Sequence, residues 1–384
     1  MRAHVIGLGG AGGRIADRLA GRDTDRFRGT VFAFDTDAAA LDSLRSLDDD
    51  RRYRFGDTAG GHGLDGDLHA GREVGRAHAS ELCRALDDGH PSSAEAFVLV
   101  VGVGGAAGSG VAPPLAAELT RLYDAPVYAV AVLPTPAESD PESAAASAAR
   151  SGSTAAADGA SDDPRRPLAA KNAARTLDAL SEHVASVIAF DNEAWLRRGE
   201  SIADARGRLN DVVAERIAAV FGVGETGADA ATPQQVVDAS DVARALGDDG
   251  AVASVGYATQ TVETPTASRF GLGLFDSAEP APVDTSAAVS AIETVIRKAT
   301  RGKNTVAVPD ERADRALLVV GGPPVWLNRS AIADGRRWLA EETGSGAILS
   351  GDAPVPDGDA VFALVVRSGI DEPERLRAIR GSTG

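Results

Sequence analysis

The 384-residue chain is short of three things: cysteine, lysine and long apolar runs. Cys83 is the only cysteine, so an intramolecular disulfide is excluded and a cysteine-based metal site is not expected. Three lysines, Lys171, Lys298 and Lys303, stand against 56 aspartates and glutamates. Arginine therefore carries nearly all the positive charge, and the net charge is −17. This balance argues against a general nucleic-acid binder, which needs basic surface for phosphates. An Asp-rich, Lys-poor surface suits a cytoplasm of high salt, where hydration is held and self-repulsion is screened. The apolar runs, such as 97–101 and 127–133, are far too short to span a bilayer. The apolar start His4-Val5-Ile6 already leads into a glycine turn, so no signal peptide is expected, and the reading is a soluble, cytoplasmic protein with no integral membrane segment.

What is present is glycine at two places. Residues 96–114 read AFVLVVGVGGAAGSGVAPP, an apolar strand followed by a glycine-rich turn and a helix start. A second turn, Gly7-Leu8-Gly9-Gly10-Ala11-Gly12-Gly13, follows the first apolar strand. Glycine lets backbone N–H groups approach phosphate oxygens, and a helix N-terminus adds positive potential. Two such turns about a hundred residues apart suggest one polyanion held from two sides. Gly7, Gly9 and Gly12 also fit G-x-G-x-x-G, and Asp35 ends the next strand, as in a dinucleotide-binding unit with Asp35 on a ribose hydroxyl. Tight strand–helix turns with no ligand carry three glycines as well. A Walker A loop is excluded, because no Gly-Lys-Ser/Thr follows either turn.

The length allows two domains, each with its own core, and a hydrophobic content of 43% is ordinary. Strands are expected at 3–6, 30–34, 97–101, 127–132 and 184–190, with helices at 12–19, 73–86 and 113–122 between them. This alternation predicts an α/β arrangement with a mostly parallel sheet covered on both faces. Residues 137–167 are dominated by Ala, Ser, Asp, Gly and Pro with no large apolar side chain, which predicts a mobile loop or insertion. Apolar residues at helical spacing predict one long helix over 202–221. Beyond it, strands at 251–256, 316–320 and 360–366 and helices at 287–300 and 328–341 predict a smaller α+β unit. The expected division is 1–200, a central helix at 201–222, and 223–384.

Gly104-Gly105-Ala106-Ala107-Gly108-Ser109-Gly110, continued by Val111-Ala112-Pro113, resembles the GGGTGSG signature of the tubulin/FtsZ superfamily. Gly9-Gly10-Ala11-Gly12-Gly13-Arg14 is similar to the first nucleotide loop of that superfamily. Gly61-His62-Gly63 with Gly71-Arg72-Glu73 resembles the third loop of CetZ, the archaeal tubulin-like branch. Further likenesses to CetZ are Phe190-Asp191-Asn192-Glu193-Ala194-Trp195, Gly199-Glu200-Ser201, Ser254-Val255-Gly256-Tyr257 and ALLVVGGPP at 316–324. Leu327-Asn328-Arg329 and Gly335-Arg336-Arg337-Trp338-Leu339 follow in the same order. The likeness spans nearly the whole chain except 137–167. It implies a Rossmann-like GTPase domain and a smaller α+β C-terminal domain joined by a long central helix.

The resemblance also implies roles. Gly9, Gly10, Ala11, Gly12, Gly13 and Arg14 would wrap GTP or GDP phosphates from one side. Gly104, Gly105, Ala107, Gly108, Ser109 and Gly110 would do so from the other, with Asp35 nearby and Mg2+ on the phosphates. Asn192 would meet sugar or base, Arg206 would stack on the base, and Asn210 would pair with the guanine edge, which an amide's donor and acceptor suit. Asp238 and Asp241 would reach a neighbouring subunit's γ-phosphate and act in hydrolysis. Read without the family, they are an N-cap pair for a helix over 242–246. No protein-held metal site is expected.

Several positions depart from the pattern. Ala106 and Ala107 replace a glycine and a threonine, so a hydroxyl that would touch phosphate or magnesium is lost. Arg206 replaces an aromatic residue and stacks through its guanidinium plane. Asp35 replaces an asparagine and adds negative charge. The ribose-binding glutamate has no evident counterpart, Glu138 and Glu142 being the available carboxylates. The leading expectation is a cytoskeletal GTPase assembling head to tail into protofilaments and controlling cell shape, its partner chiefly itself. The alternatives are a poorly hydrolysing scaffold acting with other tubulin-like homologues, and an NAD-linked enzyme.

Overall fold

The computed structural model describes residues 1–22, 27, 29–56, 60–139, 166–222, 233–263 and 283–382. Glu142 and most of the expected 137–167 insertion lie outside the described residues. The chain runs β1 (Ala3–Leu8), α1 (Gly9–Ala20), β2 (Val31–Asp35), α2 (Ala38–Asp42), β3 (Arg52–Arg54), α3 (Leu68–Arg84), β4 (Ala96–Gly102) and α4 (Ala107–Leu122). It continues with β5 (Val127–Leu133), α5 (Pro136–Ser139), α6 (Ala169–Ser181), β6 (Ser186–Asp191), α7 (Asn192–Trp195), α8 (Ile202–Phe221) and α9 (Ala239–Leu246). The remainder is β7 (Ala251–Thr261), α10 (Thr285–Arg301), β8 (Arg315–Gly322), α11 (Arg329–Thr343), β9 (Ala347–Pro354), β10 (Ala360–Ser368) and α12 (Glu374–Gly381).

All ten described strands form one sheet in the order β3-β2-β1-β4-β5-β6-β7-β10-β8-β9. From β3 to β7 every pairing is parallel, as the strand–helix alternation predicts. Strand β10 then pairs antiparallel with both β7 and β8, and β9 runs parallel to β8. The central strands are apolar throughout because helices cover both faces of the sheet. Their alternate residues feed two cores. Val5, Val98, Val130 and Ile188 face α1 and α8, whereas Ile6, Leu99, Ala129 and Val187 face α3, α4 and α6.

The two halves share more than the central helix. Ser186, Val187 and Ile188 of β6 pair with Ala251, Val252 and Ala253 of β7, so the backbone ladder is continuous. The core beneath α8 likewise continues into Leu317 and Val319 of β8 and Leu364 and Val366 of β10. A separate cluster packs α10 and α11 on the opposite face of β8 and β10, through Ile292, Val295, Leu318 and Val365.

Long-range glycine contacts fix how the first helices sit. A Cβ on Gly12 would overlap the Val100 carbonyl oxygen, and one on Gly110 would overlap the backbone of Gly71 on α3. Gly12→Ala forces strand and helix apart, and we expect a loss of about 1–3 kcal/mol, read as a lower midpoint in denaturant unfolding.

Candidate functional site

The strand order reverses between β1 and β4, and ligands of open α/β sheets bind at the carboxyl ends of the strands at such a point. A cavity of about 580 Å³ opens there. Its floor is the turn after β1 (Leu8, Gly9, Gly10, Ala11) and the turn after β4 (Gly102, Gly104–Gly108). The two turns touch. Gly9 has a φ of +69°, which only glycine adopts cheaply, and a Cβ there would stand 2.9 Å from the Gly108 nitrogen. A Cβ on Gly108 would in turn clash with the Leu8 carbonyl.

Both turns run straight into helices whose first N–H groups no side chain caps. Leu8 and Ala106 occupy the N-cap positions of α1 and α4. By contrast Asp37, Asp67, Asp191, Ser201, Asp238, Asp284 and Asn328 each cap the helix that follows them. Two open N-termini on one cavity leave orphan N–H donors and aligned dipoles for an anion. The alanine at 106 has a φ of −113° and a ψ of −56°, a negative φ that does not demand glycine.

Opposite this floor lies α8, which presents Ile202, Arg206, Leu209, Asn210 and Val213 to the cavity. Arg206, Asn210 and Val213 share one face by helical spacing. Asn192, the first residue of α7, lines the same wall. Leu209 and Val213 add an apolar surface suited to the flat face of a ring.

Charge in the cavity is divided unequally by function. Asp35, 5% exposed, accepts from the Thr36 and Asp37 N–H groups at 2.7 and 3.3 Å. Asp37 accepts from Ala39 and Ala40. These carboxylates are occupied by backbone. The guanidinium of Arg14 has no such partner at its Nε, and burial lowers its pKa to about 10, with Arg206 and Arg166 adding repulsion. Three arginines thus converge where phosphate charge would be welcome.

Burial pushes the Asp35 carboxyl up to about 6, backbone hydrogen bonds from Asp37 and Thr36 and the nearby Arg14 charge opposing it, and the Asp37 charge adding to it. Its ionised form is the disfavoured one, so the penalty holds above pH 6 and is relieved as pH falls through 6. Affinity for an anionic ligand should therefore rise from pH 7.5 to 5.5, by at most about tenfold per pH unit. In Asp35→Asn this component disappears and affinity at pH 7.5 is already higher. Calorimetric titration of both proteins across that range checks it.

Of the residues expected from sequence, the structure brings Gly9, Gly10, Ala11, Arg14, Asp35, Gly104, Gly105, Ala107, Gly108, Asn192, Arg206 and Asn210 to the cavity. Gly12, Gly13, Ser109 and Gly110 lie behind the lining. Gly12 and Gly110 serve close packing, and the Ser109 hydroxyl donates to the Gly102 carbonyl at 3.2 Å. Asp238 and Asp241 are outside the cavity of their own chain and form a reciprocal capping box at the start of α9, with Arg244 paired to Asp241. Asp238 is exposed at the head of the helix, whereas Asp241 is part-buried and engaged by Arg244 and the Asp238 N–H.

Two cavity residues, Asn172 and Arg166, escaped sequence reasoning, and a third, Glu138, was there left undecided against Glu142. Glu138, just past β5, is buried against the Thr135 N–H and hydroxyl at 2.7 and 3.2 Å and lies 3.9 Å from Arg166. Asn172 of α6, 3% exposed, donates to the carbonyls of Gly66 and Gly105 at 2.9 and 3.2 Å, tying the third loop to the signature turn. Arg166 itself lines the mouth. The one available signal was the position of Thr135–Glu138 directly after a strand end.

An open sheet with two interlocked glycine turns at its switch point and a long helix across the mouth defines the tubulin/FtsZ class. Residues 2–158 match the tubulin/FtsZ family GTPase domain, and residues 199–383 match the C-terminal domain of tubulin-like CetZ. The tubulin-like protein CetZ5 of Haloferax volcanii is 32% identical over 387 residues, covering 100% of this chain and 91% of that protein. The chain belongs to the CetZ family of tubulin-like proteins. Among solved structures, the GDP-bound monomer of CetZ1 from Haloferax volcanii matches with a TM-score of 0.79 and 30% identity, covering 100% of this chain and 98% of that one. A GTPγS-bound protofilament of CetZ2 from the same organism gives 0.78 and 28%, covering 100% and 97%.

Proposed function

We propose that this chain binds guanine nucleotide in the cavity between β1 and β4 and assembles head to tail into protofilaments. The observation that carries the reading is the meeting of two uncapped helix N-termini beneath Arg14 and opposite Asn210. The turns after β1 and β4 hold phosphates, Asn210 reads the guanine edge, and Glu138 with Asn192 receives the sugar. The GDP-bound CetZ1 and GTPγS-bound CetZ2 structures support the same ligand here. A stack of copies presents Asp238 and Asp241 of one to the nucleotide of the next, where a carboxylate orients the attacking water. A cytoplasmic filament that governs cell shape follows from the family.

Magnesium fits as a companion of the nucleotide rather than as a resident ion. Among the described residues no group of three His, Cys, Asp or Glu side chains forms a cage. The Ser109 hydroxyl is engaged with Gly102, so phosphate oxygens and water would supply the ligands. When bound, the ion neutralises developing phosphate charge.

The test is direct. Purified protein in high salt is expected to bind GDP and GTP, to sediment as polymer with GTP, and to release phosphate. If it neither binds guanine nucleotide nor sediments, the reading fails. Ala107, which lacks the signature hydroxyl, favours a second reading as a poorly hydrolysing scaffold. That reading predicts GTP-dependent polymer with negligible phosphate release.

A further inference from the structure

Arg375 belongs to α12, at the far end of the sequence from the glycine turns. Leu376 and Ile379 of that helix are buried in the core beneath α3, α4 and α6, and Arg380 holds Asp178 of α6 at 3.1 Å. The helix is therefore fixed in place and turns Arg375 inward. Its guanidinium donates to the Pro134 carbonyl, at the end of β5, and lies 3.5 Å from the Asp191 carboxylate, at the end of β6. Asp191 in turn caps α7 by accepting from the Glu193 N–H at 3.1 Å.

We infer that Arg375 is a positioning residue of the nucleotide cavity, acting on its sugar side alone. It bridges the turns that carry Glu138 and Asn192 and so fixes the separation of the two residues assigned to the sugar. Its charge also acts on the neighbouring Asp191 and Glu193 carboxylates, which lie close enough to feel one another. Without it, the buried Asp191 loses its ion-pair partner, and beyond the β5–β6 ladder that ends at Leu133 and Asp191 the two turns lose their side-chain tie. Among the described residues Arg375 makes no hydrogen bond or ion pair with the turns after β1 and β4 that build the phosphate floor. This inference rests on the guanine-nucleotide reading above.

The experiment compares calorimetric affinities for GDP and for inorganic tripolyphosphate in the full-length wild type, Arg375→Ala, Arg375→Lys and the exposed neighbour control Arg377→Ala. For Arg375→Ala we expect GDP affinity to fall by about tenfold or more, with tripolyphosphate affinity within about twofold of wild type. Arg375→Lys keeps the ion pair but not both arms, and falls between. Arg377→Ala matches wild type. An equal loss for both ligands, or no loss for GDP in Arg375→Ala, overturns the inference. If Arg375→Ala does not fold, Arg375→Lys decides on the same two ligands. A wild type that binds no GDP overturns the underlying reading as well, which separates the two failures.

Discussion

Asp238→Asn lowers GTP turnover by about 10²–10⁴-fold, the range for a positioned general base, while GDP affinity and the unfolding midpoint stay at wild-type values. The asparagine matters to this expectation. Asp238 caps α9 through the Asp241 N–H at 3.0 Å, and burial plays little part in its environment. Its pKa is held below the ordinary carboxylate value chiefly by the Ser240 hydroxyl, so it is ionised at neutral pH. Asparagine preserves the cap, whereas alanine would add about 1 kcal/mol of helix destabilisation and blur the result. Because Asp238 does not line the cavity of its own chain, its contribution must come from a neighbouring copy. Turnover should therefore rise more steeply than linearly with protein concentration in the wild type.

Arg14→Gln weakens GDP and GTP binding by about 10–150-fold, the loss of one hydrogen-bonded charge of 1.5–3 kcal/mol. Arg14 is largely buried beside Gly10, and a Cβ on Gly10 would lie 3.2 Å from its Nη1 and 3.8 Å from the Asp35 carboxylate. Its Nε has no partner in the structure. A buried guanidinium without an acceptor is costly, and phosphate oxygens are the acceptors that the neighbouring helix N-termini favour. Glutamine is shorter but keeps the aliphatic stem and a polar end while removing the charge, so stability should hold or improve as affinity falls. Equilibrium binding of a fluorescent GDP analogue measures it. The two variants also test each other. An interface between the intact cavity of Asp238→Asn and the intact Asp238 of Arg14→Gln is complete, so a mixture should recover turnover that neither protein shows alone.

How much of this was legible in sequence follows from what each feature depends on. The parallel strands were legible because apolar residues buried on both faces leave a local signature, as in 97–101. The long helix over 202–221 was legible because its apolar residues repeat every three or four positions. The glycine turns stood out because their geometry restricts residue type at the turn itself. Strand β3, with Arg52, Tyr53 and Arg54 half-exposed at the sheet edge, carried no apolar run to find. The packing of Gly110 against Gly71 was not legible, because its reason lies in α3, some forty residues away in sequence.

The sequence alone determined the family, the parallel architecture and the two turns, because these rest on local periodicity and on residues whose backbone demands are intrinsic. Only the tertiary structure decided that Asn172 ties the third loop to the signature turn and that Arg375 reaches Pro134 and Asp191. Those facts depend on burial and on hydrogen-bond partners 67 to 241 residues apart. Close packing of distant segments sets such contacts, and no local pattern in the chain encodes them.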